Sequence, residues 1–224
     1  MQVNLLYRPS QALAQCWLAP GESVLAESGA MVGMSTNVQI QTQSGGLMSG
    51  LKRMFGGESF FRNTFTAAGG SGEVLFATPL CGDMAVLDVG QRQWCVQSSA
   101  YVACNPTVDV RTRSGGARGF FSGAGLFILE TAGQGQMIIG AFGALEQVPV
   151  NGSLVVDTGH LAAWESTLQY RVGKSGSGWI ASWLSGEGLV CNFQGQGRLW
   201  LQTRNPGSLA AFVNPFRPVQ AKSW

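Results

Sequence analysis

Residues 28–46 read SGAMVGMSTNVQIQTQSGG, and residues 98–116 read SSAYVACNPTVDVRTRSGG. Ser28/Ser98, Ala30/Ala100, Val32/Val102, Val38/Val108, Thr42/Thr112, Ser44/Ser114, Gly45/Gly115 and Gly46/Gly116 coincide at a constant offset of 70 positions. Residues 159–172, GHLAAWESTLQYRV, repeat the same shape more loosely. At the centre of each copy stands a run of period two: 37–41 (NVQIQ), 107–111 (TVDVR) and 167–171 (TLQYR). Apolar side chains alternate there with Gln39, Gln41, Asp109, Arg111, Gln169 and Arg171, the pattern of a strand with one face toward a core.

Outward from these runs, each copy carries the same landmarks in the same order. Upstream comes a short apolar lead-in at 20–30, 89–100 and 150–160, each with a glycine near its start. Downstream comes a Gly-rich connection bearing apolar residues, at 45–57, 115–123 and 174–186. A Gly-x-Gly turn follows at 70–72, 133–135 and 195–197, between two apolar runs, and reads as a hairpin. The pattern predicts an all-β fold: a tandem repeat of three small antiparallel units (20–80, 89–143 and 150–204), β-sandwich-like or built as a double-stranded β-helix. The units pack about a pseudo-threefold axis, because a strung-out array leaves strand edges bare. Residues 1–205 read as one domain, with a strand near 12–18. The tail 206–224, with three prolines, reads as an extended segment.

Composition narrows the function classes. Charged residues make up 12% of the chain, about half the usual share. So few charges beside 7 Trp and 12 Phe point to a surface covered in the working state, and so to a homo-oligomer. The net charge of +2 is small and the basic residues are scattered, which gives no sign of a nucleic-acid partner. No apolar run approaches the length of a membrane-spanning helix, and the first residues lack the pattern of a secretory signal. Five cysteines without a C-x-x-C pair fit buried thiols in a reducing, cytoplasmic setting.

The stretches 51–61 (LKRMFGGESFF), 155–165 (VVDTGHLAAWE) and 185–204 (SGEGLVCNFQGQGRLWLQTR) resemble the altered-inheritance-of-mitochondria family, a bacterial domain of unknown function. The resemblance covers nearly the whole chain, apart from the first dozen residues and the tail. It implies a fold similar to the tryptophan RNA-binding attenuation protein, and oligomers. Mitochondrial members of the family are associated with inner-membrane organisation, whereas this chain looks like a cytoplasmic bacterial relative. The family brings no catalytic residues to carry over.

The residues themselves present no catalytic set, no metal site and no cofactor motif. The lone histidine, His160, sits at a turn in the slot of Ala30 and Ala100, without the further ligands a metal needs. Asp157 reads as the cap of that turn. The glycines of 173–177 lack the spacing of a phosphate loop. Glu58 and Glu187 share a slot that holds Ala124 in the second unit. The candidate interaction patch is Leu51, Met54 and Phe55, then Phe120 and Phe121, then Trp179, Trp183 and Leu184, which the pseudo-threefold repeat brings to one face, as plugs of the sandwich ends, as a self-interface, or as a contact for a membrane or another protein. Lys52 and Arg53 beside Met54 suit a membrane surface. The sequence therefore reads as a non-enzymatic oligomeric β-scaffold binding a protein partner or a membrane-associated assembly. The alternative is a small-ligand or single-stranded RNA binder, by analogy with the attenuation protein.

Overall fold

The structure is a computed structural model that describes residues 1–42, 62–112, 127–174 and 189–217. Strands β1 (Gln2–Leu6) and β2 (Leu13–Leu18) form an antiparallel pair. Then come β3 (Ser23–Glu27), β4 (Met31–Met34), β5 (Val38–Thr42), β6 (Arg62–Ala67) and β7 (Gly72–Phe76). They are followed by β8 (Met84–Val89), β9 (Trp94–Gln97), β10 (Tyr101–Cys104), β11 (Val108–Thr112), β12 (Ile128–Gly133) and β13 (Gly135–Gly140). The last four are β14 (Leu145–Asp157), β15 (Leu161–Glu165), β16 (Gln169–Lys174) and β17 (Leu189–Gln202). The all-β expectation holds.

Three antiparallel sheets result, ordered β1-β2-β7-β4, β5-β6-β3-β10-β13-β8 and β11-β12-β9-β15-β17-β14, with β16 also on β17. One scheme of partners recurs. β2 pairs β7, β8 pairs β13, and the first half of β14 pairs the second half of β17. β3 pairs β6, β9 pairs β12, and the second half of β14 pairs the first half of β17. β4, β10 and β15 lie on β7, β13 and β17, each with a register shift at the same place: Met31/Gly33, Tyr101/Ala103 and Leu161/Ala163.

The Gly-x-Gly turns do not close hairpins. β6 bonds to β3 and β5, whereas β7 bonds to β2 and β4, so the turn at 68–71 carries the chain between sheets. The turn between β12 and β13 does the same, and β17 runs straight through Gly195. Two apolar runs flanking a glycine look alike whether they pair with each other or with distant strands. Glycine is still required at the crossing. Gly133 has φ +83°, and a Cβ there would lie 2.4 Å from the Thr107 carbonyl oxygen.

Three cores sit between the sheets. The first joins Val24, Phe65, Val74 and Phe76 to Val102, Ala103 and Ile138. The second joins Trp94, Tyr101, Leu129 and Met137 to Ala162 and Ala163. The third gathers Trp164, Leu168, Cys191, Phe193 and Leu199. Trp164 there meets Tyr170 and Phe193 edge-on, with centroids 5.1 and 5.6 Å away.

The tail departs from the extended reading. Pro206–Val213 is a helix, α1, and Asn214–Phe216 adds a 3-10 turn. The Asn205 side chain caps it by accepting from Gly207 N at 2.8 Å. Pro206 stands in the first helical turn, where its missing N–H costs no hydrogen bond. Its presence is therefore no bar to a helix.

Candidate functional site

Of the patch read from the sequence, Leu51, Met54, Phe55, Phe120, Phe121, Trp179, Trp183 and Leu184 all lie outside the described residues, as do Glu58 and Glu187. What is placed is where those connections attach. They join β5 to β6, β11 to β12 and β16 to β17, three antiparallel neighbours with matching roles in the sheets.

The His160 corner is a piece of framework. Asp157 accepts from Gly159 N at 2.6 Å, capping a 3-10 turn over Thr158–His160. His160 Nδ1 lies 2.8 Å from the Gln202 carbonyl oxygen. A carbonyl only accepts, so Nδ1 carries the proton and donates. The Gln202 side chain closes the loop, donating to Gly159 O at 2.9 Å and accepting from Phe142 N at 3.0 Å.

Two buried carboxylates are held by arginines. Asp83 accepts two bonds from Arg8, at 2.7 and 2.9 Å, and one from Met84 N at 2.8 Å. The Asp83 hydrogen bond raises the pKa of Arg8. Glu165 accepts from Arg198 Nε at 2.7 Å, with Arg92 Nε at 3.3 Å. The Arg198 guanidinium also lies 5.7 Å from the Trp94 ring centre. Sequence reasoning singled out neither pair. Arg8 and Asp83 are 75 residues apart, and no local signal links them.

Three of the buried thiols are kept inert by their burial. Cys16 and Cys191 are pushed up to about 12, and Cys104 is also raised, in each case chiefly because burial penalises the thiolate. Cys81 is exposed. Among the described residues no three His, Cys, Asp or Glu side chains converge as metal ligands. Glu27 differs from the paired carboxylates: burial alone pushes its carboxyl up to about 7.

The unusual surface lies on β4 and β14. Met31, Val32 and Met34 are 37, 58 and 38% exposed, whereas Tyr101, Val102 and Cys104 in the matching slots are 0, 1 and 0%. Leu161, Ala162 and Trp164 are all 0%. On β14, Val155 is 61% exposed, while its counterpart Cys95 is buried. Ile40 of β5, which period two places inward, is exposed as well. Leu209, Phe212, Val213 and Phe216 form a second exposed apolar group on α1 and the turn after it. Among the described residues, no helix is long and apolar enough to cross a membrane.

With this geometry in view, residues 3–204 match the family described as "Mitochondrial biogenesis AIM24". The chain belongs to the AIM24 family. The resemblance drawn from the three sequence stretches is thereby borne out. An uncharacterised protein of Streptococcus pyogenes serotype M6 is 27% identical over 220 residues, spanning 93% of this AIM24 chain and 88% of its own length. A crystal structure of a Streptococcus pyogenes protein superposes with a TM-score of 0.83 at 25% identity, covering 96% of this chain and 99% of that one. Both are bacterial relatives of the AIM24 chain, and the second shares its all-β architecture across the whole length.

Proposed function

We propose that this AIM24-family chain is a non-enzymatic, oligomeric β-scaffold that acts by binding a protein partner or a membrane-associated assembly. One observation carries the reading. His160, Asp157, Asp83 and Glu165 are tied into the frame, while large apolar side chains stand exposed on β4, β14 and α1. His160 and Asp157 hold a corner, Asp83 and Glu165 are neutralised by arginines, and three of the buried thiols are shifted far from reactivity. An exposed apolar surface on a framework of this kind marks a place of contact.

Native mass spectrometry of the protein purified from its own cells tests the reading. The expected result is a discrete multiple of the 23.7 kDa subunit, alone or with a second protein. A monomer removes the oligomer. A bound small molecule or RNA, lost on denaturation, overturns the scaffold in favour of a ligand carrier.

A further inference from the structure

We infer that the two bare strand edges, β4 and the second half of β14, are the two halves of one interface, and that each pairs with the other on a second copy of this chain. The inference rests on the oligomeric reading above and names its contact. Inside the chain the same junction is made twice. β10 pairs antiparallel with β3, setting Ala103 opposite Ala26 and Cys104 opposite Leu25. β15 pairs antiparallel with β9, setting Ala163 opposite Val96 and Trp164 opposite Cys95. By sequence offset, Gly33 and Met34 match Ala103 and Cys104, while Val156 and Val155 match Val96 and Cys95. The third junction is thus β4 on β14, with Gly33 opposite Val156 and Met34 opposite Val155. Among the described residues of one chain it is not made: β4 pairs only with β7, and β14 only with β17.

Burial says what the junction needs. Where it forms, the middle of the incoming strand enters the core of the unit before it. Val102 and Ala103 sit in the first core, and Ala162 and Ala163 in the second. The third core has no such strand, and Leu154, Tyr170 and Val172 around it are only partly buried. Val32 is the residue matching Val102 and Ala162, and it is the most exposed of its strand. The register shift that aims these strands inward is already present in β4, between Met31 and Gly33. The edge of one copy therefore carries the plug, and the third core of the next carries the socket. Such a contact is head-to-tail, so it repeats into a growing row or closes into a ring, the smallest ring being a pair of chains that makes the junction twice.

Cysteine cross-linking tests the register. In a Cys81→Ser background, Met34→Cys and Val155→Cys are made singly on differently tagged chains, and together on one chain. Both positions are exposed, so neither change empties a core. Under mild oxidation, co-expressed single variants are expected to give a covalent dimer carrying both tags, and either variant alone none. The double variant is expected to give covalent oligomers, from the dimer upward. A cross-link at monomer mass in the double variant shows closure within one chain and overturns the inference. So does cross-linking of Met34→Cys with itself. An oligomer by native mass that never cross-links refutes this junction but leaves the scaffold standing, whereas a monomer by native mass removes both. As an independent readout, Val32→Asp is expected to weaken subunit association at least tenfold while the monomer keeps its strand spectrum. Unchanged association refutes the plug.

Discussion

Glu27 offers a clean link between one buried group and stability. It ends β3, opposite Arg62 of β6. Arg62 bears instead on the Tyr101 hydroxyl, so burial acts on the Glu27 carboxyl without a compensating charge. Its pKa rises from 4.5 to about 7 in the folded chain. In the unfolded chain it ionises near the ordinary value. Between those limits the folded state holds a proton that the unfolded state has released, so stability falls as pH rises through this window and stays lower above it. A shift of this size corresponds to about 3 kcal/mol at about 1.4 kcal/mol per unit. The side chain is only partly buried, and solvent screening reduces the net effect to about 1–2 kcal/mol. Glu27→Gln removes the titration. Urea unfolding at intervals from pH 4 to 8 is expected to show wild type losing about 1–2 kcal/mol relative to Glu27→Gln as pH rises. The variant is then the more stable protein at pH 8. Parallel pH profiles for the two proteins, or a variant less stable at pH 8, refute the reasoning.

Two further outcomes follow from the cores. Trp164→Ala is expected to cost about 3–5 kcal/mol in denaturant unfolding, through the cavity it leaves among Tyr170, Phe193 and Leu168. Trp164→Phe is expected to cost less, since the indole Nε1 finds no acceptor among the described residues and its loss breaks no hydrogen bond there; equal losses refute this account of the site. Native protein treated with a thiol reagent at pH 8 is expected to label once per chain, at Cys81, and five times after unfolding. Rapid native labelling of Cys16 or Cys191 contradicts their burial.

Much of the architecture was legible in the sequence, because strand signals are local. Period two in 107–111 located β11, with Val108 and Val110 inward and Asp109 and Arg111 outward. The corner at His160 was equally readable, since Asp157 caps a turn two residues on. Family membership was legible too, through long motifs around Phe55, Trp164 and Phe193. The same local logic misled where two outcomes share one signal. Ile40 continues the alternation of β5 yet is exposed. The run of prolines after residue 205 concealed a capped helix.

By itself, the sequence determined that this chain is all-β and that its polar residues alternate with a core-facing set. It also determined which residues occupy matching slots: Met34, Cys104 and Trp164 are one such set. The tertiary structure alone decided what each slot experiences. It buries Cys104 and Trp164 and leaves Met34 exposed, because among the described residues only β10 and β15 find a second strand beside them. It also sends the strands flanking the first two Gly-x-Gly turns to separate sheets, and brings Arg8 onto Asp83. Side-chain alternation is written in adjacent residues, whereas strand partnership depends on which distant edges meet, and no short window of sequence records that.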